Sequence, residues 1–249
     1  MGSSPSTCSV VSKQEAIVLL KQAEQIDHYT EECADDWSNF IARKDYSYAP
    51  NQIKKIYEYT VAFNQLIKKV PKQLQDIGEV KILCLMPTAD GGMPHTRPPN
   101  LICYAGLSLS QTTFTHELCH LHQRKFPKMW SIVFQSLGWT PWNGMLPSSL
   151  ESHRRYNPDT IDSPLWRIKS WVPVPIFRNV MNPVLNEVDI WFYHVDGYHV
   201  KAVPEEIAVE MLPSSAYEHP REMTAYIISE PEKYSGTAVY KVLRTYIDI

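Results

Sequence analysis

The sequence has little glycine, 9 residues in 249, and it has no long apolar run. No stretch approaches about 18 uninterrupted apolar residues, so we expect no helix to span a membrane. No apolar run follows a basic segment near Met1, which argues against a secretory signal. These absences predict an intracellular, cytoplasmic protein.

Basic residues are not in excess either. Lys and Arg number 24 against 27 Asp and Glu, which gives a formal net charge of −3 at pH 7. A nucleic-acid-binding domain usually carries a basic stripe or patch. We therefore expect no nucleic-acid partner.

The five cysteines form no Cys-x-x-Cys pair and no other regular spacing. An odd, scattered set of this kind is typical of free thiols in a reducing compartment. A hydrophobic fraction of 44% and a charged fraction of 20% are those of a soluble globular protein. We expect residues 1–10 to form a flexible tail and residues 11–249 to form one domain.

Hydrophobic spacing predicts an α+β domain. Intervals of three and four residues predict helices over residues 12–29, 36–42, 51–69, 128–137 and 218–229. A further helix begins at Ser108 or Ser110 and ends near Lys125. Short apolar runs predict strands over residues 80–86, 101–104, 166–180 and 188–203, with a hairpin turn at Asp196-Gly197. Residues 88–100 and 139–164 are rich in turn-forming residues and are predicted to be loops.

One of these helices carries the pattern His-Glu-x-x-His at residues 116–120. Residues four apart lie on one face of a helix, so His116 and His120 can coordinate the same metal ion. Glu117 lies beside the first histidine and can act as general base towards a water that zinc has made acidic. His122 points about 160° away from His116 around the helix, which predicts a surface or supporting role. The pattern therefore predicts one Zn²⁺ per chain.

A catalytic zinc needs a third protein ligand. The extended pattern His-Glu-x-x-His-x-x-Gly-x-x-His is excluded, because Gln123 and Phe126 occupy its last two positions. Glu222 is the leading candidate, since Pro220 starts a helix and Glu222 lies in its first turn. Glu218 and His219 are the alternatives. A first-turn carboxylate can also be an ordinary solvated side chain favoured by the helix dipole.

These segments resemble the zincin metallopeptidases, and in particular the gluzincins, which bind zinc through two histidines and a distant glutamate. Several intracellular His-Glu-x-x-His families carry that glutamate in a segment similar to (Asn/His)-Pro-x-Glu-x-x-Ala-Tyr, which residues 219–226 match. The chain lacks the thermolysin segment Asn-Glu-x-x-Ser-Asp and the aminopeptidase segment Gly-x-Met-Glu-Asn. The resemblance implies a zincin-like fold, with a small mixed sheet packed on N-terminal helices and on the motif helix.

The resemblance also implies where a peptide substrate binds. Zincins bind extended substrate along the edge strand that precedes the motif helix, here residues 100–104. His95 and Arg97, just before this strand, would then line the cleft and stabilise the oxyanion. Tyr226 and Tyr217 are alternative oxyanion donors.

The resulting prediction is a zinc-dependent metallopeptidase that hydrolyses peptide bonds with a metal-activated water and Glu117 as general base. Two alternatives stay open. One is an inactive zincin-fold protein that serves as a binding or regulatory module. The other is a hydrolase that uses the same motif on a non-peptide bond, since a fold and a motif do not fix the substrate.

Overall fold

The computed structural model describes residues 6–29, 51, 53–87, 89–181 and 183–249. The helix predicted over residues 36–42 and the cysteine at position 33 lie outside this description. The chain divides into two compact units, Met1–Lys125 and Phe126–Ile249. Each contains helices and one small sheet, so the chain is of mixed α and β structure, as expected. That one zincin-like domain covers residues 11–249 stays a prediction.

The sheet of the first unit has four strands in the order β1-β2-β4-β3. Its strands are β1 (Thr7–Val10), β2 (Glu79–Leu85), β3 (His95–Arg97) and β4 (Leu101–Ala105). β1, β2 and β4 are parallel, and β3 is antiparallel to β4. The strands predicted over residues 80–86 and 101–104 are thus confirmed, while β3 lies in a segment predicted to be a loop.

The N-terminal segment corrects the expectation of a flexible tail over residues 1–10 for Thr7–Val10, which belong to the described part of that tail. Thr7–Val10 form β1, which pairs with β2 from Glu79 to Ile82. Cys8 and Val10 are buried, and Asn64 accepts a hydrogen bond from the Cys8 amide and donates one to its carbonyl oxygen. A short apolar segment with polar alternate positions is enough to add a strand, because a paired neighbour satisfies its backbone.

The described residues of this unit form three long helices: α1 (Lys13–Asp27), α2 (Ile56–Leu66) and α3 (Gln111–Lys125). Ser12 caps α1, accepting from the Glu15 amide at 3.2 Å, as its position predicts. α2 begins five residues later than position 51. The reason is that the Asn51 amide donates to the Cys84 carbonyl oxygen at 2.7 Å, which ties this residue to β2.

The two faces of the sheet pack on different helices, because side chains alternate along a strand. On one face Leu83, Leu101 and Cys103 join a buried cluster with the inner side of α1. On the other face the ring of Tyr104 lies 5.6 Å from that of Phe63 in α2. The Phe63 ring lies 5.6 Å from that of Phe114 in α3. The motif helix therefore packs on the face opposite α1.

The second unit is built on an antiparallel sheet in the order β5-β6-β7-β8-β9. Its strands are β5 (Trp139–Pro141), β6 (Trp166–Ile168), β7 (Trp171–Phe177), β8 (Val188–His194) and β9 (His199–Val200). The hairpin between β8 and β9 confirms the predicted turn, where Gly197 has a φ of 101°. The strand predicted over residues 166–180 is divided at Lys169, whose φ of 52° breaks the extended backbone.

Where the second unit is described, it also contains five α-helices: α4 (Pro127–Ser136), α5 (Ser148–Glu151), α6 (Pro220–Ser229), α7 (Pro231–Tyr234) and α8 (Ala238–Leu243). α4 and α6 confirm the helices predicted in these regions. The prediction of a loop over residues 139–164 was wrong where it contains β5 and α5. In the described part of the chain, every helix is too short or too polar to cross a membrane.

All four described cysteines are free and buried: Cys8, Cys84, Cys103 and Cys119. Burial raises the pKa of the Cys8 thiol to about 12, and it also raises the pKa of Cys84. Thiolate is the reactive form of cysteine. We therefore expect these four thiols to resist a disulfide reagent near neutral pH in the native protein and to react fully in denaturant. Mass spectrometry of the labelled peptides checks this, and rapid native labelling of Cys103 or Cys119 would contradict the packing of the first unit.

Candidate metal centre

The motif lies in the middle of α3, whose orientation is set by its apolar face. Phe114, Leu118 and Leu121 are fully buried. Ser110 caps the helix, because its Oγ accepts a hydrogen bond from the Thr113 amide at 3.2 Å. Of the two predicted start residues, Ser110 is thus the one observed. Because the buried residues fix the rotation of the helix, they also determine which side chains project from its opposite side.

His116 and His120 lie one turn apart with their rings edge to face, and their Nε2 atoms are 3.0 Å from each other. Two nitrogens bound to one tetrahedral zinc at about 2.0–2.1 Å would be about 3.4 Å apart. The observed separation is close to this value. The imidazole pair therefore fits a single small metal ion without a change of helix geometry.

A hydrogen bond from the next turn of α3 fixes the ring of His120. The Nδ1 atom of His120 lies 3.0 Å from Oε1 of Gln123. Gln123 in turn donates through Nε2 to the sulfur of Cys119 at 3.2 Å. Because this places the Gln123 oxygen towards the ring, Nδ1 is the protonated nitrogen and Nε2 keeps its lone pair for a metal. Sequence reasoning missed this role, although the i,i+3 spacing from His120 is a signal for it.

Glu117 is buried, with 4% of its surface exposed. Burial raises the pKa of Tyr104 in β4, and the charges of Glu117 and Cys8 raise it further. The carboxylate therefore lies close to this phenol, in a largely water-excluded part of the first unit. Such an environment strengthens a carboxylate as a proton acceptor.

His122 has a different role from the two motif histidines. It is buried, and burial lowers its pKa to about 4. The neutral imidazole is thus the form that the fold accommodates. The prediction of a surface position was wrong, because the side of α3 that carries His122 is covered by the 3₁₀ turn Lys72–Gln75, whose Gln73 backbone hydrogen-bonds to it.

In the second unit, His219 caps the helix that carries Glu222. Its Nδ1 accepts from the Arg221 amide at 3.0 Å, and its Nε2 lies 3.1 Å from the hydroxyl oxygen of Ser163. Because Nδ1 must be an acceptor here, Nε2 carries the proton and donates to Ser163. Both ring nitrogens are engaged, which removes His219 from the candidates for the third ligand.

Glu222 and Glu218 differ in what holds them. Asn157 donates through Nδ2 to Oε1 of the buried Glu222 at 3.0 Å. Glu218 is ion-paired with Arg155. Burial raises the pKa of Glu218 to about 7, although Arg155 acts to lower it. Asn157 also hydrogen-bonds to Glu218, which carries the ion pair with Arg155 in addition.

Three predicted ligands, His116, His120 and Glu222, form a group that could hold a metal ion. Each offers one ligand atom, and these atoms lie within 4.8 Å of one another. Two imidazoles and a carboxylate are the donor set of one class of catalytic zinc site. The donor chemistry and the spacing both fit the predicted ion.

The positions of His95 and Arg97 contradict their predicted role at the oxyanion. They pair with Cys103 and Leu101, which face α1, whereas Thr96 between them faces α3 and accepts from Arg124 at 3.0 Å. Arg97 is bound by Asp27 at 2.6 Å and by Glu24 at 2.9 Å, both in α1. These two side chains lie on the sheet face opposite the motif helix and are not candidates for the oxyanion.

The predicted edge strand is also corrected. β4 lies between β2 and β3 and is hydrogen-bonded on both sides. Residues 101–103, which pair with β3, therefore have no edge to offer a peptide. The sequence prediction treated residues 88–100 as a loop and therefore omitted β3. This strand lies next to β4 at the end of the strand order.

The two tyrosines lie in the second unit. Tyr226 is half-buried, its hydroxyl lies 3.1 Å from that of Ser215, and burial raises its pKa. Tyr217 is fully buried, and its hydroxyl accepts from the Val209 amide at 2.5 Å. Of the two, Tyr226 is the one on the helix that carries Glu222, one turn later.

No protein-family model matches this chain, and comparison with curated proteins and with solved structures finds no match. The resemblance to zincins thus rests on residues 116–120 and 219–226 alone.

The glutamates at positions 222 and 218 provide a matched pair of variants. Glu222→Gln keeps an oxygen for Asn157 but removes the charge, and we expect zinc affinity to fall by more than the roughly 10–100-fold lost when a supporting residue is changed. Glu218→Gln should leave the zinc affinity nearly unchanged. A zinc titration against a competing chelator measures both. The reverse order would move the third ligand to Glu218, and no effect of either would exclude a glutamate ligand.

Removal of the Gln123 amide should weaken zinc binding through His120. Gln123→Leu leaves the Nδ1 proton without its acceptor, so we expect a loss of about 10–100-fold in zinc affinity. Gln123→Glu keeps an acceptor at the same place and should retain tight binding. Equal zinc affinities of the Leu variant and the wild type would show that the hydrogen bond does not orient the ring.

Proposed function

We propose that this chain is a zinc-dependent metallopeptidase. The observation that carries the proposal is the group of His116, His120 and Glu222, whose ligand atoms lie within 4.8 Å of one another. Three protein ligands leave one coordination position for water or substrate, which is the arrangement of catalytic rather than structural zinc. The bound zinc would lower the pKa of a water and polarise a carbonyl group.

Glu117 is the proposed general base. It follows His116 directly in α3 and is not a member of the ligand group. In the reaction it accepts a proton from the attacking water and passes it to the leaving amine. Its burial favours this role, because a carboxylate removed from bulk water holds a transferred proton more readily.

Tyr226 is the proposed donor to the oxyanion. It follows Glu222 by one helical turn in α6, so the two side chains share a face of the helix. Its raised pKa keeps the phenol protonated at neutral pH, which a hydrogen-bond donor requires. Its hydroxyl, 3.1 Å from that of Ser215, is held in place by this neighbour.

The assignment to peptide bonds rests on the resemblance of residues 116–120 and 219–226 to the gluzincins. An inactive zincin-fold module would have no need of a buried carboxylate next to the ligand pair, and Glu117 is present. The hydrolase class is thus supported by the site, and the peptide class by the resemblance.

The Glu117→Gln variant separates metal binding from chemistry. We expect it to bind one zinc per chain like the wild type and to lose about 10²–10⁴-fold in turnover. Elemental analysis gives the zinc content, and mass spectrometry of a mixed peptide pool gives the cleavage. His120→Ala is the control for metal loss, and we expect it neither to retain zinc nor to cleave the peptides.

The outcomes distinguish the alternatives. Wild-type protein that binds zinc but leaves every peptide intact would exclude the peptidase. Undiminished cleavage by Glu117→Gln would exclude Glu117 as the base. Loss of zinc from that variant would show that Glu117 is itself a ligand.

A further inference from the structure

Three buried side chains form a hydrogen-bonded network along one side of α3. Nε2 of Gln123 donates to the sulfur of Cys119 at 3.2 Å, and Oε1 of Gln123 lies 3.0 Å from Nδ1 of His120. Cys119 and His120 are 0% exposed and Gln123 is 1% exposed. Their spacings of four and three residues are those at which side chains meet on a helix. The network is therefore local to one helix and needs no residue of the second unit.

The side-chain amide of Gln123 can fill the same space in two orientations. With its oxygen towards the ring, it accepts from a protonated Nδ1, and Nε2 of His120 keeps the lone pair that a metal needs. With its nitrogen towards the ring, it donates to a bare Nδ1, and the ring proton then lies on Nε2, where it blocks metal binding. The orientation of this amide thus decides whether a neutral His120 is ready to bind a metal.

The sulfur of Cys119 distinguishes the two orientations. In the observed one, it accepts from the amide nitrogen of Gln123. In the reverse one, it would face the amide oxygen, and only its S–H group, a weak donor, could pair with that oxygen. Poor pairing of a buried polar atom is costly. The sulfur therefore favours the orientation in which the amide oxygen points to the His120 ring.

We propose that Cys119 is a positioning residue, which acts through Gln123 to hold His120 in its metal-binding tautomer before any metal arrives. Metal affinity falls in proportion to the fraction of molecules whose ligands are ready to bind, so a preset tautomer increases it. This role rests on the proposed function, in which His120 binds zinc. It applies to a residue that lies between the two motif histidines and is not a member of the ligand group.

The other motif histidine reports the same tautomer in the zinc-free protein. Nε2 of His116 lies 3.0 Å from Nε2 of His120, and the planes of the two rings meet at 76°. A hydrogen bond between two neutral imidazoles needs one proton between the facing nitrogens. Because Nε2 of His120 is bare, that proton lies on Nε2 of His116. The zinc-free protein should thus contain two different tautomers, with the proton on Nδ1 of His120 and on Nε2 of His116.

A long-range ¹H–¹⁵N spectrum of the histidine rings reads these tautomers. It is recorded on the full-length, zinc-free protein at about pH 8, above the usual pKa of a histidine side chain. The His120 signals are assigned by their absence from the spectrum of His120→Ala. We expect the wild type to carry the His120 proton on Nδ1 in nearly all molecules. A wild-type spectrum with that proton on Nε2 would overturn the proposal, whatever the other variants show.

Cys119→Ala and Cys103→Ala are matched variants, since each removes one buried thiol from the first unit. Cys103 is also 0% exposed, but it belongs to the cluster on the sheet face that packs on α1. In Cys119→Ala we expect the Nε2–H tautomer of His120 to appear and the zinc affinity to fall about two- to tenfold, the usual weight of one hydrogen bond. Cys103→Ala should keep the wild-type tautomer and affinity. An unchanged His120 spectrum in Cys119→Ala, or the same change in Cys103→Ala, would show that the proposal is wrong.

A double variant tests whether Cys119 acts through Gln123. Once Gln123→Leu has removed the amide, Cys119→Ala has no orientation left to change, so adding it should alter the zinc affinity by less than about twofold. A purely structural loss, such as a cavity in α3, would lower the affinity by the same factor in both backgrounds. Equal factors would therefore exclude the positioning role.

These outcomes separate the role of Cys119 from the proposed function, because the tautomer of His120 is measured without zinc and without a peptide. A protein that shows the expected tautomers but cuts no peptide would exclude the peptidase and leave the role of Cys119 standing. A protein that binds zinc and cuts peptides, but in which Cys119→Ala changes neither the tautomer nor the affinity, would do the opposite.

Discussion

The periodicity of one helix is the constraint on which the candidate centre depends. With 3.6 residues per turn, α3 can place His116 and His120 on one side while Phe114 and Leu118 anchor another. The sheet supports this arrangement, because β4 and α2 supply the aromatic surface against which Phe114 packs. A strand or an irregular segment with the same residues would separate the two imidazoles.

A polar network in the second unit fixes the turn that carries Glu222. Arg221 binds the Asp159 carbonyl oxygen at 2.8 Å and the Asp162 carboxylate at 2.5 Å. Asn157 orients Glu222, and Arg155 pairs with Glu218. Buried ion pairs add little net stability, because desolvation offsets much of their attraction. The geometry that they impose on this turn is their more evident contribution.

The features that could be predicted from the sequence are those set by local interactions. The i,i+4 pair of histidines, the Ser12 cap and the turn at Gly197 each depend on a few neighbouring residues. The role given to His95 failed because it depends on pairing between distant segments. Once β3 pairs with β4, the register sends His95 to the α1 face, and a shift of one residue would have sent it to the other.

The choice between Glu222 and Glu218 shows a second limit of sequence reasoning. Both carboxylates lie near the start of α6, and helix spacing alone favours neither strongly. Their partners come from a segment more than sixty residues earlier in the chain, and among them the ion pair of Arg155 is formed with Glu218. The Asn157 amide hydrogen-bonds to both carboxylates, and Arg155 forms an ion pair with Glu218. A carboxylate that binds a dication needs its negative charge, so the ion pair with a guanidinium argues against Glu218 as the ligand.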